Sequence, residues 1–206
     1  MPKIVDHASR REEIAEALWR VVRRDGIRAA SVRTVAAEAG WSAGAVRYYF
    51  PDQDGLLSFA MDLVSRRVTA RVSAVSAKGS VPTIVLRYLD EVLPLDAERR
   101  AEFEIWLAFM AQAQAESGAG TLHALVDRVH NELRELCTSL INALAENELL
   151  RDGLDVRREI ERLHAILDGL ALHAAIQPAH STPTRIRQLM RHHIESLLGV
   201  TVDPTP

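Results

Sequence analysis

The chain has 206 residues, 48% of them hydrophobic and 26% charged, with a formal net charge of −3. Its one cysteine, Cys137, excludes an internal disulfide framework and any Cys-x-x-Cys metal site. Gly and Pro are sparse, while Ala, Leu, Arg and Glu are plentiful; this favours an all-α fold, and no apolar run nears membrane-spanning length. The start lacks the apolar core of a signal peptide, so a cytoplasmic protein with no membrane partner is expected.

Met1 to Ala8 reads as a flexible arm that is expected to be disordered, with Lys3 reaching either a phosphate or nothing. Ser9-Arg10-Arg11-Glu12 has capping-box spacing, which places the first helix start there. Ile14, Leu18, Val21 and Val22 form its buried stripe, and Asp25-Gly26 ends it. The stretch Ser31 to Phe50 then reads as two short helices broken at Ala39-Gly40. Ser31 and Ser42 are N-caps, because each hydroxyl can accept from a free backbone N–H one turn in. Val32, Val35, Ala36 and Ala39 give the first of the pair one apolar face, and Gly40 fits its left-handed end. Two helices joined this way form a helix-turn-helix, whose second helix can enter the major groove.

The second helix can be read by angle. At about 100° per residue, Val46 and Phe50 point inward with Tyr49 beside them, and Gly44, Arg47 and Tyr48 point outward. An outward Arg can fork onto guanine or phosphate oxygens, and a Tyr hydroxyl can bond a phosphate. Gly44 carries no side chain to hold backbone away from DNA. The candidate DNA contacts are Arg33, Ser42, Ala43, Gly44, Arg47, Tyr48 and Tyr49. Charge agrees: residues 1–50 hold nine Lys and Arg against six Asp and Glu, a surplus of three, whereas the remainder holds 16 against 22.

Pro51-Asp52 breaks the recognition helix, Asp52 can cap the next one, and that fourth helix is expected from about Asp52 to Ser76. Leu56, Leu57, Ala60, Met61 and Val64 give it one apolar side; its N-terminal amides point toward where phosphates would lie. Joining the DNA-binding part to the body, it is the natural lever between them. Lys78-Gly79-Ser80 is a turn, and a fifth helix starts at Pro82 and closes at Pro94. A sixth runs from about Ala97 to Ser117, ended by Gly118-Ala119-Gly120. A long seventh starts near Thr121. Asp155 caps an eighth, which stops at Pro178; Thr182-Pro183 opens a ninth, and Val200 to Pro206 is expected to fray.

This body has more apolar helical surface than one packed layer needs, leaving surface for a pocket and for a partner chain. Phe103, Trp106, Phe109 and Met110 form the richest aromatic cluster; with Met61 and His123 they are the candidate ligand lining. Glu102 beside Phe103 and Trp106 would suit a cation. His123, His130, His164 and His173 are scattered over two helices without metal-ligand spacing, so they read as core or interface residues; no metal or cofactor is expected. Cys137 reads as a small core residue.

The segment from about Ser9 to Leu57 resembles the DNA-binding domain of the TetR family of bacterial repressors. The resemblance rests on Ile14, Ala17, Gly26, Ser31-Val32-Arg33, Val35-Ala36, Ala39-Gly40, Ser42, Gly44, Tyr49-Phe50 and Leu56-Leu57. The remaining chain is similar to the choline-repressor-like (BetI-like) branch, through Leu167-Asp168-Gly169-Leu170, the Pro178 break and the terminal helix. Two departures stand out. Arg47 sits where the family usually has Tyr, which bears on the operator read. Gln53 sits where the family usually has a phosphate-holding Lys, so a phosphate there meets a neutral amide or nothing.

The resemblance implies a three-helix helix-turn-helix domain over 1–51 and a larger helical bundle over 52–206, about nine helices in all. It implies a ligand cavity among the fourth to seventh helices. It also implies a two-fold homodimer built from the last two helices, through Leu163, Leu167, Leu170, Ala171, Ala174, Ile186, Met190, His193 and Leu197. A dimer holds two recognition helices about 34 Å apart, the spacing of successive major grooves. The expected function is a ligand-responsive repressor that binds a palindromic double-stranded DNA operator and is released by an unidentified small-molecule effector. A helical-bundle enzyme lacks its chemistry here: no paired carboxylates, nucleophile–base set or phosphate loop stands out. A helical interaction protein with an incidental helix-turn-helix would show no salt-dependent DNA affinity.

Overall fold

The computed structural model describes residues 7–115 and 120–199. Among these residues the chain forms nine α-helices and no β-strand; an isolated bridge pairs Leu150 with Leu198. The helices are α1 (His7–Asp25), α2 (Val32–Ala39), α3 (Ala43–Tyr49), α4 (Gln53–Ser73), α5 (Val81–Val92), α6 (Ala97–Ala115), α7 (Thr121–Glu146), α8 (Val156–Ile176) and α9 (Pro183–Leu197). A short 3-10 turn, Ile27–Ala29, leads into α2. Of the arm expected over Met1–Ala8, His7 and Ala8 belong to α1; residues 1–6, 116–119 of the Gly118 turn and the 200–206 tail lie outside the described residues.

Cap chemistry sets several helix starts. Ser31, Ser42, Asp155 and Thr182 each accept a hydrogen bond from a backbone N–H of the first turn. Two ends differ from expectation. Ser9 lies inside α1, so it is not the cap; nothing in Ala8 or Ser9 stops a helix that His7 has already joined. α4 stops at Ser73, three residues early. There Arg87 donates to the carbonyl oxygens of Ser76 and Lys78, which holds that segment as a loop.

Two compact units share the chain. The first comprises residues up to Thr69 together with Ala101–Val129. Its core joins Ile14, Leu18 and Val21 of α1 to Val35, Val46, Phe50, Leu56, Met61, Ile105 and Phe109. Ion pairs tie its rim: Arg23 to Glu104 at 3.1 Å, Arg67 to Glu16, and Arg128 to Asp62. The second comprises Ala70–Arg100 and the chain from His130 onward. Its core joins Val85 and Leu89 of α5 to Cys137, Ile141 and Leu144 of α7 and to buried faces of α8 and α9. Arg187 of α9 pairs with Asp90 of α5 at 2.9 Å.

Within the first unit, Glu38 of α2 receives Arg24 at 2.8 Å and Arg20 at 2.9 Å, both from α1. Hydrogen bonds from Arg24, then Arg20, hold its carboxyl below the usual carboxylate range. Because the folded value is depressed, the stability contributed is full above the unfolded value and is lost as pH falls through the folded one. The melting-temperature gap between the wild type and Glu38→Gln is therefore expected to be largest near neutral pH and to close as pH drops from about 5 toward 3. Thermal melts followed by circular dichroism across that range check this. A gap that does not change with pH would contradict it.

Candidate nucleic-acid interface

α2, its turn and α3 are built from local rules. The Ser31 hydroxyl accepts from the Thr34 N–H at 3.2 Å, and the Thr34 hydroxyl accepts from the Ser31 N–H at 2.9 Å, a reciprocal box. Gly40 closes α2 at φ 72°, ψ 26°, left-handed backbone that glycine adopts without strain. The Ser42 hydroxyl accepts from the Ala45 N–H at 3.1 Å and so starts α3. α3 ends at Phe50 because Pro51 forces the preceding residue extended, at φ −138°, ψ 94°.

Two anchors fix the rotation of α3. Val46 is fully buried and Phe50 is 1% exposed. Phe50 packs on Phe59, ring centroids 5.3 Å apart, and the Arg11 guanidinium lies over both rings at 4.9 and 4.4 Å. The opposite face presents Gly44, Arg47 and Tyr48, all exposed, with Tyr48 at 72%. Tyr49 is half-buried and stacks edge-on with Trp41 at 5.7 Å and Tyr48 at 5.1 Å. Trp41 is itself held, its indole N–H donating to Glu13 at 3.2 Å and Arg10 lying 5.1 Å from its ring. His7 completes the aromatic cluster, 5.5 Å from Tyr49. Sequence reading missed Trp41 and His7; an aromatic residue directly after the left-handed Gly40 was the available signal.

The surrounding arginines divide into two groups. Arg10, Arg20, Arg23 and Arg24 are engaged by carboxylates of their own chain, and Arg28 by Gln112. Arg33 and Arg47 are exposed and form no ion pair among the described residues. Ala43 is half-buried, and the Ser42 hydroxyl already serves as a cap. Asp52 caps α4 as its position before that helix predicts: its carboxylate accepts from the Gly55 N–H at 2.7 Å. It occupies one of the amides an incoming phosphate would use and repels a phosphate as well.

The other sequence-selected residues fall in both units. In the first, Met61 and Phe109 are fully buried core, while Phe103, Trp106, Met110 and His123 are half-buried. The His123 Nδ1 is shielded from solvent with no hydrogen-bond partner. In the second, the residues expected at a dimer seam turn inward. Leu163, Leu167, Ala171, Ala174, Ile186, Met190 and Leu197 lie in that unit's own core, and Leu170 and His193 are half-buried. The large apolar side chains left exposed there, among the described residues, are Leu172 (39%), Ile176 (60%) and Leu189 (47%). Burial, with Asp168 adding, pushes the Cys137 thiol up to about 12, so it stays a protonated core residue.

A capped helix, a left-handed glycine turn and a second short helix with a polar outer face define a helix-turn-helix DNA-binding protein. Comparison with known proteins agrees. Residues 14–58 match the helix-turn-helix family described as "Bacterial regulatory proteins, tetR family", and residues 84–199 match "BetI-type transcriptional repressor, C-terminal". The chain is 41% identical over 198 residues to the HTH-type transcriptional regulator PksA of Bacillus subtilis (strain 168), covering 96% of this chain and 94% of that one. It is 29% identical to the HTH-type transcriptional regulator BetI of Escherichia coli (strain K12), over 94% and 96% of the two chains. The crystal structure of a transcriptional regulator from Rhodococcus sp. Rha1 superimposes with a TM-score of 0.76 at 27% identity, covering 91% of this chain and 95% of that one. The chain belongs to the TetR family of transcriptional regulators. It is a DNA-binding regulator rather than an enzyme, and among its described residues no helix is long and apolar enough to cross a membrane.

The interface generates a test of its own. A Cβ built on Gly44 meets nothing nearer than the Ser42 Oγ at 3.9 Å, so the fold does not require glycine there. Gly44→Ala is expected to leave folding stability unchanged or to raise it by about 0.5–1 kcal/mol. Ser42→Ala removes a cap and is expected to lower stability by about 1 kcal/mol. Urea denaturation followed by circular dichroism measures both. A loss of stability in Gly44→Ala would show that the fold itself requires glycine.

Proposed function

We propose that two copies of this chain bind a palindromic operator in cytoplasmic DNA and repress transcription, and that a small-molecule effector releases them. The observation that carries this reading is the outer face of α3. Gly44, Arg47 and Tyr48 are presented together on a helix held from behind by Val46 and Phe50, and Arg47 has no carboxylate to neutralise it among the described residues. Arg47 reads a base edge or phosphate in the major groove, and the Tyr48 hydroxyl bonds a phosphate. Arg33, at the start of α2, meets the backbone. Gly44 lets the α3 backbone approach the DNA.

The exposed Leu172, Ile176 and Leu189 support a dimer. Leu172 and Ile176 lie one turn apart on α8, and large apolar side chains left in water mark a face that a partner covers. A second copy is the partner that gives the two-fold spacing of an operator.

The effector reading rests on the first unit. Phe103, Trp106 and Met110 of α6 are half-buried there, as is His123 of α7, whose Nδ1 has no hydrogen-bond partner among the described residues. Met61 of α4 lies one turn beyond Leu57, and both share a core with Val46 and Phe50. A ligand that shifts α4 would therefore shift α3, lowering operator affinity by its preference for the shifted state.

Footprinting on the DNA upstream of the chain's own gene, repeated with candidate effectors, tests the whole reading. Protection of two symmetric half-sites is expected, and its absence would contradict the reading. Arg47→Ala is expected to weaken specific binding by about 1–3 kcal/mol, and Gly44→Ala to weaken it without loss of folding stability. Wild-type affinity should fall steeply with salt. A fluorescence-anisotropy titration that finds Arg47→Ala equal to wild type would exclude that residue from the DNA interface. The double variant Ile176→Glu/Leu189→Glu is expected to sediment as a monomer in analytical ultracentrifugation, whereas a dimer unchanged from the wild type would place the interface elsewhere.

A further inference from the structure

Three side chains converge between α7 and α8 in the second unit, and DNA contact uses none of them. His130 comes from α7. His164 and Asp168 come from α8, four residues apart and so on one face of the helix. A ligand atom from each lies within 4.8 Å of the other two. The two imidazole rings are 4.5 Å apart, tilted by 39°.

His164 is the buried member, 7% exposed, and its Nε2 is shielded from solvent with no hydrogen-bond partner among the described residues. The Asp168 Oδ2 lies 3.6 Å away, too far for a hydrogen bond. Buried polar nitrogens in folded proteins are normally satisfied. Burial holds His164 below the ordinary imidazole value, with His130 and Arg134 acting the same way and Asp168 opposing them. It is therefore a neutral imidazole at neutral pH, the form that ligates a metal.

We propose that His130, His164 and Asp168 form a binding site for a divalent transition-metal ion of the zinc(II) class. Two nitrogen donors and one oxygen suit such an ion, and disfavour calcium and magnesium, which prefer oxygen throughout. Bonds of about 2.0–2.2 Å require donors closer together than 4.8 Å. His130 and Asp168 are exposed and free to swing inward; His164 supplies the fixed point. Three protein ligands leave a fourth position for water or an exogenous ligand. The Arg134 charge, one turn beyond His130, opposes a dication and moderates the affinity. The ion pins α7 to α8, the helix that carries the exposed Leu172 and Ile176.

The test uses the full chain without a histidine tag, stripped with chelator, dialysed and titrated with zinc sulfate by isothermal calorimetry, with thermal melts alongside. One equivalent of zinc per chain and a raised melting temperature are expected. His130→Gln and Asp168→Asn, both exposed positions that leave the core untouched, are each expected to weaken binding at least tenfold. Arg134→Gln is expected to tighten it. His164→Gln should abolish binding, and the two exposed variants carry the test if that substitution disturbs folding. His180→Gln/His192→Gln, which removes two surface histidines of α9 and the turn before it, should bind as wild type. No saturable zinc binding would overturn the proposal. So would binding that survives in His130→Gln and Asp168→Asn or is abolished in His180→Gln/His192→Gln.

Discussion

Burial of Val46 and Phe50 is the constraint on which the DNA-binding surface depends. Each is removed from water, a gain of about 1.5–3 kcal/mol per side chain. The two lie four residues apart on a helix of seven residues and its cap, so their burial leaves α3 one orientation about its axis. Gly44, Arg47 and Tyr48 must then face outward. Arg11 reinforces the anchor by lying over the Phe50 and Phe59 rings. The surface is thus a consequence of the core, and a change behind α3 reaches the DNA face without touching it.

Electrostatics selects among the cations. A surplus of three positive charges in residues 1–50 is modest for a polyanion site. Internal pairing concentrates its effect. Glu38 engages Arg20 and Arg24, and Glu104 engages Arg23, which fixes helices to one another rather than to a ligand. Arg47 on the outer face of α3 and Arg33 at the start of α2 are exposed and form no ion pair among the described residues. Asp52 takes up a free amide at the start of α4, which reduces the anion-binding capacity of that helix end.

Local chemistry was legible in the sequence, and long-range closure was not. Ser31, Gly40, Ser42, Asp155 and Thr182 mark helix ends through bonds that span a few residues, so their types and spacing suffice to read them. The inward and outward faces of α3 follow from helical angle alone. The closure of the first unit is not legible in spacing, because it brings α6 back to α1, through Arg23–Glu104 and Arg28–Gln112, across some eighty residues of chain. The α8 and α9 stripes are ambiguous for a related reason. An apolar stripe says that a face is covered, not whether the chain itself or a second copy covers it. Leu163 and Met190 turn into their own unit, while Leu172, Ile176 and Leu189 face out. His130 and His164 lie on different helices, so no sequence spacing shows that they meet.

The central claim is that the outer face of α3 sits in the major groove of an operator, once per half-site. A photoreactive phenylalanine analogue in place of Tyr48 tests it most directly, because it keeps an aromatic ring at the most exposed point of that face. Irradiation with upstream DNA should give crosslinks at two symmetry-related positions separated by about one helical turn or a multiple of it, removed by excess specific DNA. Crosslinks scattered without defined positions, or confined to protein, would contradict it.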